Sequence, residues 1–282
     1  MRHLLSYITP LLLCCLTACD DGDITVETAQ SMVVEGWVEN GEFPVVIITK
    51  TLPITTVYQN LNDLSSYLVR WAKVTVSDGE QSVVLTGLYD ESYYQPYIYT
   101  TSHLRGELGK TYTLKVEYEG QTLTSKTTIP VSIPVIDHYQ VVPCEDSANM
   151  YQIKAFFHDN PAEKNYYLFF TKIGLESNHY LASYMGAVDD AMISGEVEYP
   201  VYRSNQYTNK EYTPYFEAGE IVSVKLAHVD QSSFHFWDQY TKAQSLTSNM
   251  FLSTSTSLPS NIQGGIGYWS GFASVSSYLE IQ

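Results

Sequence analysis

Apolar and polar residues alternate with a period of two along most of the chain, the spacing of half-buried strands. Met32-Val33-Val34-Glu35-Gly36-Trp37-Val38 predicts a first strand and Phe43 to Thr51 a second. In the second, Val45 to Ile48 is apolar without interruption, as in a strand covered on both faces. Asn40-Gly41 between them is a hairpin signal. Ala72 to Asp78 alternates through Val74 and Val76, and Asp78-Gly79 leads into Ser82 to Leu88, a second hairpin. Tyr93 to Thr101 and Thr111 to Tyr118 follow, and Glu119-Gly120 turns the chain into Leu123 to Ile129. Seven short strands at this spacing predict an Ig-like β-sandwich over 31–130.

Pro130 and Pro134 cannot both sit inside a central strand, so 131–136 reads as an extended linker with polyproline II character. Beyond it, Tyr151 to His158, Asn165 to Lys172, Tyr180 to Met185, Gly195 to Tyr202 and Ile221 to Val229 read as strands. The period then changes. Phe236, Trp237, Tyr240, Ala243 and Thr247 fall at helical spacing, predicting a helix over about 232–247 with Asp230 or Ser232 as its N-cap. Gly-rich residues 261–267 precede terminal strands from Tyr268 to Ile281. The fold class expected is mainly β: an N-terminal Ig-like β-sandwich, then a second antiparallel β sandwich or barrel domain over 137–282 with one packed helix.

The first eighteen residues fit neither pattern. Arg2 and His3 open the chain, Pro10 to Leu16 is a short apolar run, and small residues follow. This is the layout of a secretory signal peptide over 1–18, too short to span a bilayer. Leu16-Thr17-Ala18-Cys19 has the form of a lipobox, making Cys19 the expected lipidation site and new N-terminus. Two or more acyl chains would hold the protein stably on a membrane without a spanning segment. Asp20-Asp21-Gly22-Asp23 opens an acidic tether over 19–30 and resembles the export tag of surface lipoproteins. Once Cys14 and Cys15 leave with the signal and Cys19 is acylated, Cys144 is the remaining thiol, so no intramolecular disulfide is expected. Its neighbours Glu145 and Asp146 would raise its pKa, the opposite of an activated thiolate.

Of the 282 residues 44% are hydrophobic, 13% aromatic and only 16% charged, a composition that buries a core and excludes intrinsic disorder. The net charge of −16 argues against nucleic-acid partners and against adsorption to anionic lipid through a polybasic face.

Several motifs recur in a fixed order: the lipobox, Val34-Glu35-Gly36, Tyr112-Thr113-Leu114-Lys115-Val116, Ile129-Pro130, Ile136-Asp137, Asp159-Asn160-Pro161, Asn165-Tyr166-Tyr167, and Asn261-Ile262-Gln263-Gly264-Gly265-Ile266-Gly267-Tyr268. Together they resemble the Bacteroidota lipoproteins grouped as domain of unknown function 4249, over nearly the whole mature chain. The resemblance implies an outer-membrane, cell-surface lipoprotein, anchored by lipid and accessory to a TonB-dependent transporter. It brings no catalytic residues with it.

Motif by motif, catalytic chemistry finds little support. Gly106 to Thr111 ends like a phosphate-binding loop, but the required upstream glycine position is Leu104 and a strand follows. Gly264-Gly265-Ile266-Gly267 has no βαβ unit around it and reads either as a close backbone approach or as a loop lining a cleft. His103, His138, His158, His179, His228 and His235 show no metal-ligand spacing, although His158-Asp159 and His228 with Asp230 could act as acid/base pairs. No catalytic residue, metal ligand or cofactor is therefore expected.

The 24 tyrosines remain, with a cluster at Tyr89, Tyr93, Tyr94, Tyr97 and Tyr99. Such a cluster serves either cross-strand pairing or recognition, since tyrosine offers a large rigid surface with a hydroxyl. The candidate ligand contacts are Tyr93, Tyr94, Tyr97, Tyr268 and Trp269. The functional expectation is a non-catalytic, ligand-capturing surface lipoprotein. An adhesive or structural module, or a carboxylate- or metal-dependent hydrolase, are the alternatives.

Overall fold

In the computed structural model the period-two segments fold as strands close to where the sequence places them. The structure describes residues 31–51, 66–93, 95–145, 147–159, 164–175, 180–193, 195–204, 212–247 and 258–282, apart from the side chains of residues 192 and 243–247. The expected signal peptide and tether, with Cys19, lie outside the described residues, as do Tyr94 and His179.

The first half forms β1 (Met32–Glu39), β2 (Val45–Lys50), β3 (Lys73–Ser77), β4 (Ser82–Val84), β5 (Thr86–Tyr89), β6 (Tyr97–Thr100), β7 (Thr111–Tyr118) and β8 (Gln121–Thr128). The second half forms β9 (Val135–Pro143), β10 (Met150–His158), β11 (Tyr166–Ile173), β12 (Leu181–Asp189), β13 (Glu196–Val201), β14 (Phe216–Glu217), β15 (Ile221–Val229), helix α1 (Gln231–Thr247) and β16 (Ile266–Glu280). The protein is mainly β, with packed sheets and, among the described residues, one α-helix.

The structure departs from the sequence reading in three places. Ser82 to Leu88 divides at Leu85, whose side chain is buried and whose N–H donates to the Val74 carbonyl at 2.8 Å. Before it, β4 pairs with β3; after it, β5 pairs with β6 in another sheet, a sandwich corner. The 131–136 segment ends in β9, which pairs with β10 through a bulge at Phe156/Phe157. The expected terminal strands are one 15-residue strand, β16.

An eight-stranded sheet in the order β12-β11-β15-β16-β1-β2-β6-β5 draws on both halves of the chain. Its centre is the parallel pairing of the first and last strands, running from Val33↔Ile266 to Glu39↔Phe272. The two halves flanking 131–136 thus share a sheet, and Ser31–Gln282 is a single compact unit. Two smaller sheets cover one face. The β4-β3-β7-β8 sheet encloses a core of Val34, Val38, Ile48, Val74, Leu114 and Trp269. The β9/β10/β13/β14 sheet packs Ile153, Phe157 and Phe216 against Phe169, Val224 and Leu226.

On the opposite face α1 covers part of the sheet, setting Phe234, Phe236 and Trp237 against Leu168, Phe170 and Phe272. Double coverage explains why β11 and β15 are buried along nearly their whole length. Asp230 is the N-cap: Oδ1 accepts the Ser233 N–H at 2.8 Å, while Oδ2 accepts the Thr127 hydroxyl at 2.8 Å, fixing the helix start to β8.

Candidate functional site

A strand sends successive side chains to opposite faces. In β1, Met32, Val34 and Val38 enter the core under the first small sheet, so Glu35, Trp37 and Glu39 emerge on the face that α1 only partly covers. There they form the middle of a cleft of about 520 Å³. This lies within the roughly 300–1,000 Å³ of small-molecule sites. From the second half of the chain, Phe170, Lys225, Tyr268, Phe272 and Ser276 continue the floor, with Tyr180 and Trp237 at the side. From the first half, Val45, Leu88, Ile98 and Thr100 complete it, and loops bring in Glu42, Phe43, Asp90 and Tyr93. The cleft therefore straddles the β1–β16 junction.

Lys225, Glu39, Glu35 and Tyr268 are held in definite partnerships. Lys225 Nζ donates to Glu39 Oε2 at 2.6 Å, and the Ser274 hydroxyl donates to Glu39 Oε1. The same ammonium sits 4.1 Å from the centroid of the Tyr180 ring. The Tyr268 hydroxyl donates to Glu35 Oε1 at 2.9 Å. Burial holds the Tyr268 phenol well above its ordinary pKa, and the Glu35 charge adds to the shift. Trp37 and Tyr93 face one another with ring centroids 6.3 Å apart. The Tyr93 phenol is also raised, first by burial and then by the carboxylates of Asp90, Glu42 and Glu39. The result is an aromatic-walled cleft to which the described residues contribute four carboxylates, Glu35, Glu39, Glu42 and Asp90, and one ammonium, Lys225.

The candidate contacts read from sequence divide between the two faces. Tyr93 and Tyr268 line the cleft. Trp269, next to Tyr268 in β16, necessarily points the other way: it is fully buried, and its indole N–H donates to the Tyr112 carbonyl at 3.0 Å. Tyr97 also turns from the cleft, packing on the first core and donating its hydroxyl to the Arg70 carbonyl at 2.6 Å. Trp269 and Tyr97 are therefore structural residues. Glu35, Trp37, Glu39 and Lys225 were missed, although in β1 the odd positions from Glu35 onward are acidic or aromatic while the even ones are small or apolar, the signal of a strand with a working outer face.

The other chemistry-bearing residues lie elsewhere. The glycines after Asn261 make a close backbone approach: at Gly267, φ is +115° and a Cβ would collide with the Val34 carbonyl oxygen. His158 pairs with Asp137 at 2.8 Å, whereas Asp159 is buried and accepts the Tyr167 hydroxyl at 2.9 Å, so these neighbours do not work together. His228 Nδ1 lies 3.3 Å from the Ser132 hydroxyl, while Asp230 is engaged in capping. The Cys144 thiol is raised in pKa by burial. Among the described residues no group of three or more His, Cys, Asp or Glu side chains is placed to hold a metal ion, and no helix is long and apolar enough to cross a membrane.

Comparison with known families gives a match to the model described as Domain of unknown function (DUF4249), over residues 21–277. No curated protein matches the chain.

Proposed function

The chain belongs to the DUF4249 family, and from that premise we propose that it is an outer-membrane surface lipoprotein, anchored through acylated Cys19, that captures a ligand in the sheet cleft for a TonB-dependent transporter. The observation that carries the capture reading is the cleft itself. It has the volume of a small-molecule site, aromatic walls, and a floor built from strands of both halves, so its geometry is fixed by the most extensively paired part of the fold. The anchor reading rests on Leu16-Thr17-Ala18-Cys19 and the acidic run behind it, and the transporter on the resemblance these motifs carry. In this reading the protein performs no bond chemistry: it concentrates a ligand at the cell surface and passes it on.

Affinity purification of the tagged chain from detergent-solubilised outer membranes tests the proposal. A TonB-dependent transporter is expected to co-purify near stoichiometrically. Its absence under every growth condition tried would remove the transporter from the account, and polymers of the chain itself would favour an adhesive role.

A further inference from the structure

Charge and aromaticity in the cleft point to the class of ligand. Among the described residues, four carboxylates line the cleft: Glu39 pairs with Lys225, while Glu35, Glu42 and Asp90 form no ion pair with any described residue. Glu35 and Asp90 accept hydrogen bonds from neutral partners, Tyr268 and Ser92, which leave their charge in place. The protein's own cations already show how these walls hold positive charge. Lys225 lies over Tyr180, and the Arg105 guanidinium stacks on Phe43 at 3.9 Å. Trp37 and Tyr93 form an aromatic pair beside Glu42 and Asp90, with no cation of the described residues placed on it.

We infer that the Trp37–Tyr93 end of the cleft binds the primary ammonium or guanidinium group of a small cationic ligand, held by ring faces and by the carboxylates of Glu42 and Asp90. A desolvated cation over an aromatic ring gains most when anionic groups stand beside it. An anionic ligand would meet the carboxylates of Glu35, Glu39, Glu42 and Asp90 against Lys225, which Glu39 already pairs, and Arg105, which lies over Phe43. This inference rests on the capture reading for the use of the cleft, but it makes a separate binding claim.

The test is titration of the full chain in detergent micelles with the end-blocked peptides acetyl-Ala-Lys-Ala-amide, acetyl-Ala-Arg-Ala-amide and acetyl-Ala-Glu-Ala-amide, in which the side chain is the one charged group, and with maltotriose, followed by calorimetry and tryptophan fluorescence. The lysine and arginine peptides are expected to bind at least about tenfold more tightly than the glutamate peptide, and to weaken as salt is raised. Glu42→Gln combined with Asp90→Asn is expected to lose about tenfold in that affinity while keeping its melting temperature. Trp37→Phe, which keeps an aromatic face, should lose less. Equal affinity for the glutamate peptide, binding of maltotriose alone, or no binding of the basic peptides would overturn the inference. If a transporter co-purifies and the basic peptides do not bind, this inference fails alone; if they bind and no transporter co-purifies, only the transporter reading fails.

Discussion

Lys225 Nζ lies 2.6 Å from Glu39 Oε2, and both side chains are only 11% exposed. The two residues are 186 positions apart in sequence, and their contact ties β15 to β1 across the intervening β16 on the cleft floor. Removing one member of such a pair strands a buried charge, whereas removing both does not. Lys225→Met is therefore expected to cost about 3–5 kcal/mol in urea unfolding, and Glu39→Leu/Lys225→Met to recover most of that loss. Equal losses in the two variants would show that the pair contributes through packing instead.

Tyr268 and Trp269 are sequence neighbours with opposite tasks. Trp269→Ala leaves a large cavity in the first core and orphans the Tyr112 carbonyl, for an expected cost of about 3–5 kcal/mol. Tyr268→Phe removes only a hydroxyl bonded to Glu35, for about 1.5–3 kcal/mol. Denaturant midpoints in the two variants check this order. A reversed order would mean that the face assignment of β16 is wrong.

Much of the fold was legible because its signals are local. The spans Thr111–Tyr118 and Ile221–Val229 follow from period-two patterning, and the change of period after Asp230 marks the helix. Sheet membership was not legible. Nothing near Leu85 announces a change of sheet, and the β1–β16 pairing joins residues more than two hundred positions apart. The candidate site suffered from the same blindness. Tyrosine clustering points to Tyr93, but a period of two does not say which of the two faces Tyr97 or Trp269 shows until the sheets are assembled. Lys225 sits in a run that reads as a buried strand, and its partner Glu39 is identifiable only once β1 and β15 are brought together.

Gly267 and Gly120 separate close approach from turn geometry. Both have positive φ, +115° and +78°, but a Cβ at Gly267 would run into the Val34 carbonyl while one at Gly120 meets nothing within 4 Å. Gly267→Ala is expected to cost more than about 3 kcal/mol and to disturb the parallel β1–β16 ladder. Gly120→Ala should cost about 1–2 kcal/mol, the ordinary penalty of a left-handed residue. Thermal unfolding of the pair provides the comparison, and equal losses would contradict the close approach.

Buried phenols give the stability a defined alkaline limit. Burial pushes Tyr99, Tyr139 and Tyr199 up to about 12. In the unfolded chain these groups ionise near about 10. Their contribution is thus fully present below about pH 10 and is lost as pH rises toward about 12, because the unfolded chain releases its protons first. Urea midpoints should be level from neutrality to about pH 9 and fall beyond about pH 10. A flat profile through that range would mean that the phenols are not buried in this way.

The anchor is tested most directly by mass spectrometry of the N-terminal peptide of the protein extracted from membranes. The account predicts that this peptide begins at Cys19 and carries acyl chains. A peptide that retains Met1 to Ala18, or one that begins at Cys19 with an unmodified thiol, would contradict the surface tether and the capture role built on it.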